Sequence, residues 1–313
     1  MLRQPGDTIK AVFVQALESF TDKLKKDDQV IAAILMGSLS YDEVWEKSDI
    51  DLKLIVHEQK LVKRYVCFTE NGIPINASID SRNDFKRWVE KSVQGSISHS
   101  MLVRSTLLFA KEESIRDYFA DIRYVGERDR QLQLLQLGCF ALGSMAKAEK
   151  WLCVKQDFTY CAFWMIKMID VLARIEVILN KEVPMREAVQ QAAVYNPAFF
   201  GSVYTGLVNE TVNEAKAETA LRLIQSYLEE RTEMLFKPIL DYLKQEADVR
   251  SLTEMTDKLS AVVHLDGGML FMACDWLAER GFIMKTSVQE AATPKSRIAL
   301  EEPAYLYEDD EIE

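Results

Sequence analysis

The sequence predicts an α/β domain, followed by an α-helical domain and a small C-terminal module of helices and strands. Near the N-terminus, short apolar runs without charges, such as Val30–Met36, indicate buried strands. The middle of the chain carries apolar residues at three- and four-residue spacing, which is typical of packed helices. The last part returns to short helical and strand-like runs. We therefore expect three domains, at residues 1–125, 126–248 and 249–313.

The first domain is expected to form a small mixed sheet with flanking helices. Apolar residues on one face predict a first helix over residues 8–26. The elements predicted after it are four strands, at Val30–Met36, 49–56, 63–69 and 73–80, and a helix at 83–94. Asn71-Gly72, between the last two strands, is the strongest short hairpin signal because both residue types tolerate positive φ.

The composition excludes several classes of protein. The 313 residues are 48% hydrophobic and 28% charged, as in an ordinary globular protein. The sequence has no apolar run of about twenty residues and no signal-peptide layout, so we expect a cytoplasmic protein that does not span a membrane. Five dispersed cysteines and three separated histidines predict reduced thiols and no zinc cluster. The net charge of −11 disfavours non-specific binding of nucleic acid, which depends on neutralising phosphates.

Two short motifs lie at the ends of the first two predicted strands. Gly37-Ser38 ends the first strand, and a glycine there lets a phosphate approach the backbone, where N–H groups and the serine hydroxyl can bind it. Asp49 and Asp51 begin the second strand and share one face, roughly 6–7 Å apart. Like charges raise each other's pKa, and a divalent cation relieves that cost. Since hard oxygen ligands suit Mg²⁺, the pattern predicts a phosphate-binding turn beside a magnesium site.

This pattern resembles the signature of the polymerase-beta-like nucleotidyltransferases: an apolar residue, Gly-Ser, a spacer of about ten residues, then Asp-apolar-Asp on a strand. The aminoglycoside nucleotidyltransferases, including the kanamycin enzyme, are its small-molecule members. The resemblance implies that Gly37 and Ser38 hold nucleotide phosphates. It also implies that Asp49 and Asp51 bind Mg²⁺, which organises attack of an acceptor hydroxyl on the α-phosphate of an NTP. The alternative interpretation is a turn and a solvated Asp-x-Asp strand edge.

The family usually adds a third carboxylate on a neighbouring strand, and the chain departs from the family here. The alignment places Asn76 at the acidic position, within the nucleotide site. Asp80 shares a face with Asn76 but lies two alternations further on, roughly 13 Å away on a straight strand. Either a local bend makes Asp80 a catalytic carboxylate, or the third carboxylate is lost and Asp80 caps the next helix. We favour its loss, which weakens catalysis more than nucleotide binding.

Residues 126–248 are predicted to form a bundle of four or five helices. The segment 147–152, followed by Asp157, resembles the C-terminal bundle of the kanamycin-type enzymes, which brings the acceptor and its general base. The glutamate that those enzymes place one turn before a lysine is absent here. Lys147, Glu149 and Asp157 stay candidates for binding the acceptor or acting as the base, and the alternative is a solvated helix face. The aromatic residues expected in the core are Phe158, Tyr160, Phe163 and Trp164. A homodimer is expected by analogy with those enzymes.

Residues 249–313 are predicted to form a winged helix-turn-helix. Ser251 and Glu254 form a capping box for its first helix, and Asp266 can cap a second helix that ends at Gly281. The predicted wing strands are residues 282–288 and 297–300.

Such a module usually binds DNA through its second helix, but the charges here oppose that use. The helix carries Asp275 and Glu279 against Arg280. From Ser251 onward, thirteen acidic residues stand against five basic ones, and the acidic tail 308–313 is expected to be disordered. We therefore expect the module to serve packing or a protein partner.

Over its whole length the chain is similar to a group of uncharacterised nucleotidyltransferase-like proteins of Gram-positive bacteria, which join these three domains. The resemblance implies a Mg²⁺-dependent enzyme that moves an NMP group from an NTP to a hydroxyl of a small-molecule acceptor. The alternative is a degenerate, non-catalytic protein that binds nucleotide, or a protein partner through its winged helix. Asn76 and the missing helical glutamate favour that alternative, whereas Asp49 and Asp51 oppose it.

Overall fold

The computed structural model describes residues 6–92, 97–121, 126–293 and 295–307. The chain divides into two compact units, Met1–Val125 and Gly126–Glu313. The first predicted domain boundary lies at this division, and the further boundary at residue 249 stays a prediction. No helix in the described ranges is long and apolar enough to cross a membrane.

The first unit contains a five-stranded mixed sheet. Its strands are β1 (Val30–Met36), β2 (Ile50–Val56), β3 (Tyr65–Glu70), β4 (Ile73–Ser81) and β5 (Thr106–Ala110). The spatial order is β3-β4-β2-β1-β5, in which β2 and β4 are parallel and every other pair is antiparallel. The mixed sheet and its first four strands are confirmed. The edge strand β5 was missed, because a five-residue apolar run cannot be distinguished from a helical segment by periodicity.

The hairpin between β3 and β4 is also confirmed. Glu70 pairs with Ile73, and the two residues between them have positive φ, 52° at Asn71 and 80° at Gly72. Two consecutive positive φ values are those of a type I′ turn, whose twist matches the right-handed twist of the flanking strands.

Helices cover both faces of the sheet. They are α1 (Gly6–Lys25), α2 (Arg82–Ser92), α3 (Ile97–Val103) and α4 (Glu113–Asp121), and a one-turn 3-10 helix follows β1 at Ser38–Tyr41. Phe13 and Leu17 of α1 pack on one face, and Phe85 and Val89 of α2 pack on the other. Each large apolar side chain that is fully buried in this way contributes about 1.5–3 kcal/mol.

The second unit is mainly helical. Its long helices are α5 (Glu127–Cys153), α6 (Phe158–Leu179), α10 (Glu214–Glu229) and α11 (Thr232–Glu246); the shorter α7 (Ala188–Tyr195), α8 (Pro197–Phe200) and α9 (Gly206–Asn209) lie between α6 and α10, with a π-helical turn at Gly201–Thr205. After them come β6 (Arg250–Ser251), α12 (Leu252–Ser260), α13 (Gly267–Glu279), β7 (Met284–Ala291) and β8 (Ala299–Leu306). One apolar cluster runs from Leu132 of α5 to Tyr305 of β8.

The local signals of the last segment were accurate at its helices and poor at its strands. Ser251 and Glu254 form both bonds of a capping box, and Asp266 accepts a hydrogen bond from the Met269 N–H at 2.8 Å. The predicted strands overlap β7 and β8 but end too early, because β7 and β8 extend to residues 291 and 306. Both strands contain many exposed polar residues, so the pattern of apolar residues did not indicate their full length. The three strands pair in the order β6-β8-β7. The name winged helix stays a prediction, and the acidic tail 308–313 lies outside the described residues.

Helix α13 is packed inside the second unit. Among its thirteen residues, all described, only Gly268 and Glu279 are exposed. The Trp276 indole donates a buried hydrogen bond to the Thr232 hydroxyl of α11 at 3.0 Å. On α5, a Cβ added at Gly143 would lie 3.3 Å from the Met272 methyl group. The apolar character of α13 therefore serves intramolecular packing.

Candidate active site

Gly37 lies directly against one of the two predicted metal ligands. Its φ is 72°, in the left-handed region that favours glycine. A Cβ added there would lie 2.5 Å from Asp51 Oδ2, which is shorter than any real contact of this kind. Met36, the last residue of β1, pairs with Asp51 of β2. The Gly-Ser turn and the carboxylate are therefore neighbours because of the antiparallel pairing of β1 and β2.

Three serines shape the turn between the two motifs. The Ser40 hydroxyl donates to the Gly37 carbonyl at 2.7 Å, which ties the one-turn helix to its start. The Ser38 hydroxyl donates to Ser48 Oγ at 3.5 Å, and Ser48 Oγ also accepts from the Trp45 N–H at 3.1 Å. Ser40 and Ser48 were missed in the sequence. Their signal was present, since short hydroxyl side chains commonly bond to nearby backbone in turns.

The aspartate pair is completed by Asn76. Asp49 immediately precedes β2 and Asp51 lies within it, directly opposite Asn76 of the parallel strand β4. The Asn76 side-chain amide donates to Asp49 Oδ2 at 2.5 Å. The structure thus brings all three predicted residues together, with an amide where the resemblance implies a third carboxylate.

The Asp51 carboxylate is costly to keep charged in this position. Burial, followed by the negative charge of Asp49, raises the pKa of Asp51, and the Asn76 amide opposes the rise only in part. Such a pair gains from a cation that both carboxylates can share.

The donors fit a magnesium ion that takes its remaining ligands from phosphate and water. Mg²⁺ in phosphate-handling sites is bound by one or two carboxylates and keeps several waters. Asp49 and Asp51 would be these two ligands, beside the turn that would hold the phosphates. Over the described ranges, no group of three or more His, Cys, Asp or Glu side chains could hold a metal ion. An all-protein cage is therefore not the kind of site indicated here.

Asp80 has other partners, and this corrects its placement in the site. Its carboxylate accepts a hydrogen bond from Lys53 Nζ at 2.6 Å and lies 3.5 Å from Arg64 Nη1. Nor does it cap α2, because the Asp84 N–H donates to Ser81 Oγ instead. On β4, Asp80 pairs with Ile55, two alternations beyond the row that contains Asn76. The straight parallel pairing of β2 and β4 leaves no bend that would return Asp80 to the aspartate pair.

We expect the replacement of Asp80 by alanine to lower the free energy of unfolding by about 3–5 kcal/mol. The Lys53 side chain is 7% exposed, and its ammonium lies 4.2 Å from the centre of the Trp88 ring. Removing Asp80 would leave this buried charge without its carboxylate. Urea denaturation measures the change.

The matched control for this variant is Asp84→Ala. Asp84 pairs with the more exposed side chains of Arg64 and Arg87, and its loss is expected to cost less than about 1 kcal/mol. An Asp80→Ala protein with wild-type stability that has lost metal binding would return Asp80 to the site.

The candidates in the second unit have local partners, and their predicted roles in acceptor binding or as a base stay predictions. Asp157 caps α6, where it accepts a hydrogen bond from the Tyr160 N–H at 2.9 Å. Burial, followed by the charge of Glu279, raises the pKa of Glu149 on α5. Lys147 is exposed.

The aromatic residues of α6 were expected in the core, and for two of them that was wrong. Tyr160 and Phe163 are exposed, and their ring centres lie 5.3 Å apart. The ammonium of Lys167 lies 4.9 Å from the centre of the Trp164 ring.

Comparison with known proteins agrees with this geometry. Residues 18–114 match the family model described as polymerase beta, nucleotidyltransferase, and this range contains the Gly-Ser turn, the aspartate pair and Asn76. No curated protein matches the chain.

Two solved structures are similar to different degrees. A nucleotidyltransferase-like protein from Exiguobacterium sibiricum 255-15 is 15% identical, with a TM-score of 0.64 over 94% of this chain and 98% of that one. A spectinomycin adenyltransferase from Enterococcus faecialis, solved with ATP and spectinomycin, is 11% identical over 68% of this chain and 98% of that one. Its TM-score is only 0.29. The chain therefore shares its fold with the first protein, and its N-terminal unit contains a domain similar to polymerase beta nucleotidyltransferases.

Proposed function

We propose that the protein is a Mg²⁺-dependent nucleotidyltransferase that moves an NMP group from an NTP to a hydroxyl of a small-molecule acceptor. The observation that carries the proposal is the close approach of Gly37 to Asp51, which brings the Gly-Ser turn next to the carboxylate pair. The net charge of −11 favours a small acceptor over nucleic acid, since a nucleic-acid site needs a basic track. A cytoplasmic homodimer with a C-terminal winged helix belongs to the same proposal.

Each residue of the site has a defined task in this reaction. Gly37 leaves room for the phosphates at the backbone, and the Ser38 hydroxyl can turn from Ser48 to donate to a phosphate oxygen. Asp49 and Asp51 would hold the ion, and the Asn76 amide fixes the Asp49 carboxylate by its hydrogen bond. When bound, the ion would supply neutralisation of the charge that develops on the phosphate oxygens.

Calorimetric titration of ATP, GTP, CTP and UTP, each with and without Mg²⁺, tests the proposal. We expect micromolar binding of at least one NTP that disappears without Mg²⁺ and in Asp49→Asn. A folded wild-type protein that binds none of the four would contradict it.

A second candidate function is nucleotide binding without transfer, and Asn76 favours it. An amide has no basic atom to accept the proton of an acceptor hydroxyl, a task that carboxylates perform in general base catalysis. The two candidates differ in pyrophosphate release. With α-labelled NTP and a panel of hydroxyl compounds, a transferase releases pyrophosphate and labels a compound, whereas a binding protein does neither.

A further inference from the structure

Among the described residues of the first unit, no apolar cluster covers one half of the sheet face beside the aspartate pair. Residues directly opposite each other on paired strands point to the same face. The pairing therefore places Asp51 of β2, Asn76 of β4 and Cys67 of β3 in one row across the sheet. The next row contains Lys53, Ser78 and Tyr65, in the same strand order.

The helices cover the other half of this face. The apolar cluster beneath α2, α3 and α4 takes its strand residues from β1, β2 and β5, and among the described residues it includes none of β3 or β4. Tyr65 is 62% exposed and Cys67 is also exposed. The open floor, defined as Asp51, Asn76, Cys67 and Tyr65, thus extends from the aspartate pair to the β3 edge.

The strand order places the Gly-Ser turn and the strands β4 and β3 on opposite sides of β2. Gly37 and Ser38 follow β1, which lies on one side of β2, whereas β4 and β3 lie on its other side. In phosphoryl transfer the attacking and leaving oxygens are roughly in line across the phosphorus. If the Gly-Ser turn holds the leaving pyrophosphate, the acceptor hydroxyl must therefore approach from the side of β4 and β3.

The negative charges of Asp49 and Asp51 affect the pKa of Tyr65. Desolvation, then the charges of Asp51, Cys67 and Asp49, raise the pKa of the Tyr65 phenol. The phenol O–H can donate a hydrogen bond to an acceptor oxygen. Its ring also offers an apolar surface to the carbon skeleton of such a compound.

We propose that the open floor is the acceptor subsite and that Tyr65 contacts the acceptor there. This inference rests on the proposed function. The acceptor oxygen forms a bond to the α-phosphorus, the bond from that phosphorus to the bridging oxygen breaks, and the oxygen leaves with pyrophosphate. The hydroxyl proton passes to water, since Asn76 cannot take it.

Cys67 is a native reporter for occupation of the open floor. Cys67 and Cys153 are the exposed cysteines among the described residues, and the other three are buried. In a Cys153→Ser background, mass spectrometry measures the rate at which N-ethylmaleimide modifies Cys67. We expect saturating Mg·ATP alone to change this rate less than about twofold, because the nucleotide lies on the Gly-Ser side.

A panel of sugars, amino sugars, nucleosides and polyols then supplies the second ligand. Transfer from α-labelled ATP identifies the compounds of the panel that accept the labelled NMP group. In the presence of Mg·ATP, a compound that accepts this group is expected to slow Cys67 modification at least fivefold. The inference is overturned if Mg·ATP alone gives that protection, or if a labelled compound leaves the rate unchanged. Failure of the proposed function is distinguishable, because the wild type would then bind none of the four NTPs, or would bind one and label no compound of the panel.

Tyr65→Ala and Tyr65→Phe provide a second measurement at an exposed position. We expect Tyr65→Ala to leave the Kd of Mg·ATP within twofold of wild type and to raise the KM of the labelled compound about tenfold. Tyr65→Phe retains the ring and should recover part of that loss. An equal change in nucleotide affinity and acceptor KM would show that Tyr65 does not serve the acceptor.

Discussion

Replacing Asp51 by asparagine is expected to abolish Mg²⁺-dependent nucleotide binding while making the protein more stable. The variant loses one of the two carboxylates that would hold the ion, and any remaining transfer should fall about a thousandfold. It also removes a charge that burial and Asp49 disfavour, since both raise the pKa of Asp51. Relief of such unfavourable charge at a functional site typically raises stability by about 0.5–2 kcal/mol.

The stability gain should depend on pH in a defined direction. Because the folded-state pKa of Asp51 is raised above 3.8, the folded protein holds this proton more tightly than the unfolded chain. Wild-type stability therefore falls as pH rises from the unfolded pKa through the folded pKa. Asp51→Asn does not lose stability in this pH range. Its gain in the free energy of unfolding over wild type should therefore be complete at neutral pH and decrease toward about pH 4.

Thermal and urea unfolding without Mg²⁺, together with calorimetry of Mg·ATP binding, test both parts. Asp42→Asn is the matched control, because it removes one exposed aspartate charge at a residue with φ 64°, a conformation that asparagine also tolerates. Its stability should stay within about 0.5 kcal/mol of wild type. Asp51→Asn that is less stable than wild type, or that retains Mg²⁺-dependent binding, would contradict the assignment of Asp51.

Gly37→Ala is expected to damage both the fold and the site. The φ of 72° is unfavourable for alanine, and the new methyl group would lie 2.5 Å from Asp51 Oδ2. Together, the backbone strain and the overpacking should lower the free energy of unfolding by about 3 kcal/mol or more. Relaxation that moves the Asp51 carboxylate or the Gly-Ser turn would disturb the proposed site, so Mg·ATP affinity should fall more than tenfold.

Gly72→Ala distinguishes the effect of backbone strain from the effect of overpacking. Gly72 has a φ of 80°, but a Cβ added there has nothing within 4 Å. This variant should therefore show only the backbone strain, about 1–2 kcal/mol, with unchanged nucleotide affinity. If the two variants lost the same stability by urea denaturation, the contact between the turn and Asp51 would not be significant.

The features that the sequence predicted correctly all have local causes. The uncharged run Val30–Met36 is short and contains β-branched residues, which favours a buried strand. The Asn71-Gly72 turn needs no distant partner to adopt its conformation. The capping box of Ser251 and Glu254 is likewise formed by residues three apart. The spacing from Gly37-Ser38 to Asp49 and Asp51 belongs to the same class, because one turn and one antiparallel pairing connect the two motifs.

Other features depended on which distant residues meet, and only the tertiary structure decided them. The parallel pairing of β2 and β4 places Asn76 opposite Asp51 and leaves Asp80 to Lys53, a choice that no local pattern contains. Packing against α5 and α11 likewise buries much of α13, whose apolar sequence was compatible with either packing or a protein partner. The physical reason is that register and burial follow from contacts between segments far apart in the chain, whereas turns and caps follow from the backbone preferences of adjacent residues.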